Sequence, residues 1–220
     1  MPLTFADGTK VELTFPSDIG LDELSLRASI NGRIHDEEGT ERTMEAYPRP
    51  PEAIPVLSDT VIKTFAGAGG GEVALVEGHP QAGAHLYLVF RFGMWTVLVY
   101  DTPDNGMSDE QRAIWAQALD GRTDEDGFLL LDAKEPLTLQ RSGFPFGPQL
   151  LLVGPNHVPE VTIYPTTCNP EPAGEVEVSL LGEDGWHASW CPADGVAIVQ
   201  ATGERDFVLE LVKELNVKPL

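Results

Sequence analysis

Four residues of the types that hold zinc fall in the C-terminal half: His157, Cys168, His187 and Cys191. Zinc needs its ligands to converge within about 2–2.3 Å of one ion. The spacing of His187 and Cys191 would suit one face of a helix. The run Trp186-His187-Ala188-Ser189-Trp190-Cys191 reads instead as a strand, on which four residues span about 13 Å. The two cannot share an ion there, so no metal site is expected. Cys168 and Cys191 remain as a neighbouring pair, a disulfide in an exported protein or reduced thiols in a cytoplasm.

Other candidates fail on context. The glycine run from Ala66 to Glu72 would need a helix N-terminus or a Lys-Ser/Thr behind it to cradle phosphate. A strand follows instead, so the run reads as a hairpin turn. Two acidic loops, Asp101 to Asp109 and Asp120 to Gly127, offer oxygens but miss the register of a calcium loop. They read as solvated turns and a helix cap. His79, His85 and His187 read as strand-edge residues. No G-x-S-x-G, H-E-x-x-H or C-x-x-C is present. No catalytic residue and no cofactor is assigned. Trp186 and Trp190 should share one side of their strand, where they form either a binding patch or core under the last helix.

The elements around these residues are mostly strands. Leu3 to Phe5 and Val11 to Phe15 flank Asp7-Gly8, a hairpin signal. Asn31-Gly32 is a second such signal. Residues 36–53 are acidic and then proline-rich, a linker or mobile loop after an N-terminal hairpin subdomain at 1–35. Strands follow from Val56, and the pair His85 to Arg91 and Met94 to Asp101 is apolar on both faces, so it belongs at the centre of a covered sheet. A helix opens at Ser108 with Gln111 as its capping-box partner, and Gly121 is placed to end it. A second run of strands leads to a last helix opening at Thr202, with Asn216 as its cap. Residues 71–119 and 174–216 share the order β-β-β-α with matching glycines, a candidate duplication. The fold class is α+β, mainly antiparallel, with two packed helices in one globular domain over 1–220.

Charge limits function. The chain carries 35 acidic and 14 basic residues, a formal net charge of −21. That field repels nucleic acid and anionic lipid, so neither is an expected partner. A basic protein would be drawn in faster. With no signal peptide read in residues 1–20, a soluble cytoplasmic protein is expected. The leading reading is a non-catalytic interaction protein, such as an inhibitor, immunity-type protein or accessory subunit. The alternative is a hydrolase-type enzyme whose site no motif reveals.

Overall fold

A computed structural model describes residues 1–16, 25–34, 41–79, 85–101, 106–141, 147–154, 159–180 and 185–220. Gly20 to Leu24, whose sequence suggests a helical turn, lies outside the described residues, as do His157 and the middle of the first acidic loop. The chain folds into two compact units, one from Met1–Ala28 with Arg141–Leu220 and one from Ser29–Gln140. Its architecture is α+β and mainly antiparallel, with two helices. Among the described residues no helix is long and apolar enough to cross a membrane.

The discontinuous unit joins the two ends of the chain. Strand β1 (Pro2–Thr4) pairs with β2 (Lys10–Thr14) around Asp7-Gly8. Gly8 takes a left-handed φ of 88°, which costs a glycine little. The Asp7 carboxylate accepts from the Thr9 amide at 3.0 Å. On the other side of β2 lies β17 (Asn216–Pro219). Leu3, Val11, Leu13 and Val217 are buried in this small sheet.

The same unit holds a meander of β12 (Gln149–Val153), β13 (Glu160–Pro165), β14 (Val178–Leu180), β15 (Trp186–Trp190) and β16 (Ala197–Gly203), in spatial order β12-β13-β16-β15-β14. The opening residues of β3 (Ser25–Ile34) lie beside β12, where the Ser25 hydroxyl donates to the Val153 carbonyl at 3.0 Å. Helix α2 (Arg205–Glu214) buries Val208, Leu211 and Val212 and packs on β15 and β16.

The contiguous unit is a six-stranded sheet in the order β3-β4-β8-β7-β6-β5. Its strands are the rest of β3 with β4 (Glu41–Tyr47), β5 (Leu57–Ala66), β6 (Glu72–Gly78), β7 (Leu86–Phe92) and β8 (Trp95–Asp101). The doubly apolar pair is β7 and β8, which lie inside the sheet as their composition demands. Helix α1 (Asp109–Ala118) follows β8. Its capping box is complete: Ser108 Oγ accepts from the Gln111 amide at 3.2 Å, and Gln111 Oε1 accepts from the Ser108 amide at 2.9 Å. The hairpin of β9 (Leu119–Thr123) and β10 (Leu129–Ala133) and the short β11 (Leu137–Leu139) on β3 complete it.

Several local readings are corrected by packing between distant residues. Asn31-Gly32 is no turn; it lies inside β3. A Cβ at Gly32 would stand 2.6 Å from Trp115 Cη2, so glycine is needed for the close approach of α1. Gly121 does not end the helix, because α1 stops at Ala118 and Gly121 lies in β9 against the Phe92 ring. Within the expected mobile stretch 36–53, Glu41–Tyr47 is a strand paired with β8, and Pro51–Ala53 is a 3-10 turn leading to buried Ile54. Residues 36–40 lie outside the described residues. Thr202 is still in β16, so α2 starts at Arg205, and Asn216 opens β17 rather than capping α2.

The order β-β-β-α occurs in both expected stretches, as β6-β7-β8-α1 and β14-β15-β16-α2. The first strands differ in length, 7 residues against 3, and the shared order alone does not establish a duplication.

Candidate functional site: an edge strand and the hollow beside it

Strand β5 carries the sequence Leu-Ser-Asp-Thr-Val-Ile-Lys-Thr-Phe-Ala. Its apolar and polar residues do not alternate, which argues against a regular half-buried strand. Among the described residues it pairs only with β6 and forms the end of the sheet. The two strands are joined through the glycine run, where the Gly67 amide donates to the Gly71 carbonyl at 2.7 Å and Gly70 has a φ of 83°. The run is thus a hairpin connection.

The register of β5 slips twice. Leu57 stands opposite Gly78, Val61 opposite Val76, and Lys63 opposite Leu75. Because Leu75 and Val76 point to opposite faces, the extra residue at Ile62 sends Val61 and Lys63 to opposite faces as well. Lys63 turns toward α1, reaching Asp109 Oδ2 at 2.7 Å and covering the Phe65 ring at 5.3 Å. Val61 turns toward the other face. The bulged tract leaves Val61 55% and Ile62 52% exposed, large apolar side chains on an open edge.

Val61 borders a hollow of about 390 Å³. Its floor is Leu57, Ala74, Val76 and Val89, and its rim carries Glu52, Asp59, Glu72 and Arg91. The floor continues into the buried cluster of Tyr47, Ile54, Val76, Tyr87, Val89 and Leu98. Glu72 and Arg91 line the end of the hollow near Ala66. Glu52 and Asp59, near the Leu57 end, have no basic residue among the lining beside them. The lining hydroxyl, Ser58 Oγ, is already engaged, donating to the Glu77 carbonyl at 2.8 Å. An apolar floor with a charged rim is an arrangement for binding.

Beyond the floor, the Tyr47 hydroxyl donates to Glu45 Oε2, and the rings of Tyr87 and Tyr100 meet edge to face at 5.1 Å. Burial, then the Glu45 carboxylate, pushes the Tyr87 and Tyr100 phenols up, and burial with Glu160 does the same for Tyr164 in the other unit. The ordinary phenol value is about 10. A folded-state value raised above the unfolded one stabilises the fold below about pH 10, and that stability drains as pH rises through the folded value. An alkaline absorbance titration of the folded protein should therefore leave these three phenols protonated well past pH ~10. Three phenols ionising at ordinary pH, with the fold intact, would refute the burial account.

The remaining candidates are placed as follows. Cys168 and Cys191 form a disulfide with Cα atoms 6.0 Å apart, so neither is a thiol or thiolate ligand. His187 Nδ1 lies 3.3 Å from Thr202 Oγ1, and the His85 ring meets Tyr87 at 6.4 Å. Among the described residues no group of three or more His, Cys, Asp or Glu could hold a metal ion. Trp186 and Trp190 lie on β15, against which α2 packs: Trp190 is 3% exposed and belongs to the core, while Trp186 is half-buried with Arg205 over its ring at 5.2 Å. In the second acidic loop, Asp124 Oδ1 accepts from the amides of Asp126 and Phe128 at 3.0 and 2.8 Å, shaping its own turn.

No protein-family model matches the chain, and no curated protein matches it. Two solved structures do. One is the complex of Pseudomonas aeruginosa MucA and MucB, with 10% identity over 91% of this chain and 96% of that one, at a TM-score of 0.26. The other is MucB in complex with MucA(peri), with 11% identity over the same shares and a TM-score of 0.26. Likeness at that level is too slight to stand for a shared fold.

Proposed function

We propose that the chain is a non-catalytic protein-interaction module whose binding face is the outer edge of β5. The observation that carries this is the exposure of Val61 and Ile62 on a sheet edge that borders an apolar hollow. Natural sheets blunt their edges with charge, bulges, proline or cover; β5 carries Lys63 and a slipped register, yet it still leaves two adjacent β-branched aliphatics exposed, which supports a surface kept open for a partner. A partner segment gains main-chain hydrogen bonds along the edge and side-chain burial beside it. The net charge of −21 adds long-range attraction for a basic partner. The Cys168–Cys191 bridge favours an oxidising compartment over the cytoplasm expected from the sequence.

The test is site-specific photo-crosslinking in the native cell. A photoreactive residue at Ile62 should give a discrete adduct of higher mass. The same residue at Leu180, an equally exposed aliphatic in the other unit, should not. Identical adducts from both positions, or none from Ile62, would sink the reading.

A further inference from the structure

The rim of the hollow narrows the chemistry of what binds there, and this step rests on the edge-binding reading above. Charge is uneven along the hollow. Toward the Ala66 end, Glu72 and Arg91 both line the hollow, so both signs are present there. Toward the Leu57 end, Glu52 on the 3-10 turn and Asp59 on β5 are both exposed, and among the described residues no basic one lines that end. Between the two ends lie Val61 and Val76, directly opposite one another. An acidic segment would be repelled at the Leu57 end, and a wholly polar one would leave the valines wet.

A segment running beside β5 presents every second side chain to the hollow. Side chains two residues apart on one face of an extended segment are about 7 Å apart, and Asp59 and Val61 both line the hollow. We infer that the occupant is an extended segment of another protein bearing a basic residue, a spacer and an aliphatic residue. The lysine or arginine sits between Glu52 and Asp59, and the aliphatic side chain enters the hollow over Val61 and Val76. The bulge at Ile62 serves this arrangement, because it is what aims Val61 into the hollow and sends Lys63, a competing cation, to the opposite face.

The experiment measures fluorescence anisotropy of labelled peptides of roughly ten residues, the length of β5, against the full chain. One peptide has Lys-Ser-Val at its centre, the second Glu-Ser-Val, and the third Lys-Ser-Ser. The first should bind, and each of the others should bind at least about tenfold more weakly. The double variant Glu52→Gln/Asp59→Asn should weaken the first peptide about tenfold and remove most of its sensitivity to about 0.5 M salt. The double variant Glu171→Gln/Glu175→Gln, which removes the same charge from the other unit, should change affinity less than about twofold. Equal losses from both variants would mean diffuse attraction and would overturn the inference, as would equal binding of the Glu-Ser-Val peptide. No binding of the first peptide at about 1 mM would overturn it too. None of these results touches the crosslink from Ile62, so the edge-binding reading stands or falls separately.

Discussion

Replacing Arg112 with alanine should lower the stability of the Ser29–Gln140 unit by about 3–5 kcal/mol. The Asp101 side chain is wholly buried, and Arg112 grips it with two prongs, Nε at 2.8 Å and Nη2 at 2.7 Å. The Met107 amide supplies a third donor at 2.6 Å. Together these bonds fasten the start of α1 to the end of β8. Without the guanidinium a buried carboxylate keeps one donor, and the desolvation it suffers is no longer offset. Lysine cannot reproduce the fork, so Arg112→Lys should recover only part of the loss.

The outer part of this network gives the control. Asp109 links Arg112, at 2.9 Å, to Lys63, at 2.7 Å, but it is largely exposed, and such solvent-screened pairs contribute little beside a buried one. Urea unfolding of Lys63→Ala should therefore show little change beside Arg112→Ala. Equal losses would refute the assignment of strength to the buried pair. Hydrogen bonds from Lys63 and then Arg112 hold Asp109 below the usual carboxylate range. Its contribution is present above the unfolded aspartate value and is lost as pH falls through the lower, folded one.

Removing the bridge should be nearly as costly. Cys168 and Cys191 are 23 residues apart, and closing a loop of that length restricts the unfolded chain by about 3 kcal/mol. The bridge ties the segment after β13 to the end of β15, next to Trp190 in the core. Cys168→Ser/Cys191→Ser, or wild type unfolded in reductant, should lose about 3 kcal/mol in urea titrations that follow the discontinuous unit. A loss below about 1 kcal/mol would show that the native packing, rather than loop closure, holds this segment. Free thiols in protein taken from its native cell would contradict the oxidising compartment.

The features legible in the sequence were those whose cause lies within a few residues. Asp7-Gly8 supplies a left-handed turn between two apolar runs, and Ser108 with Gln111 closes its box across three positions. The position of β7 and β8 followed from their being apolar on both faces. Gly32 and Gly121 were misread because the reason for each glycine is an aromatic ring far along the chain, Trp115 and Phe92. Strand β4 was hidden by its acidic and proline-rich neighbours, though Met44 and Ala46 bury one face of it and Tyr47 is buried on the other. Strand β17 has only four residues, including a proline, and looks like the tail of a helix.

The candidate site was less legible still. Val61 and Ile62 would ordinarily place one side chain in and one out. Both are exposed because the register slips, and only the pairing with β6 reveals the slip. The available signal was the loss of alternation in β5, with the charges of Asp59 and Lys63 flanking Val61 and Ile62, a pattern of edge strands. The two tryptophans draw attention by type, yet Trp190 is buried and Trp186 is half-buried beside Arg205 of α2.

The small sheet β1-β2-β17 sets an order of events during synthesis. β1 and β2 leave the ribosome well before β17, which lies at residues 216–219. Every pairing of the Ser29–Gln140 unit can form while β2 still waits for its second neighbour. Throughout that interval one side of β2 presents unsatisfied amides and carbonyls, with Val11 and Leu13 uncovered beside them. The newborn chain thus carries a temporary sticky seam that the finished molecule does not, and a chaperone that recognises short apolar strands would find it at residues 10–14.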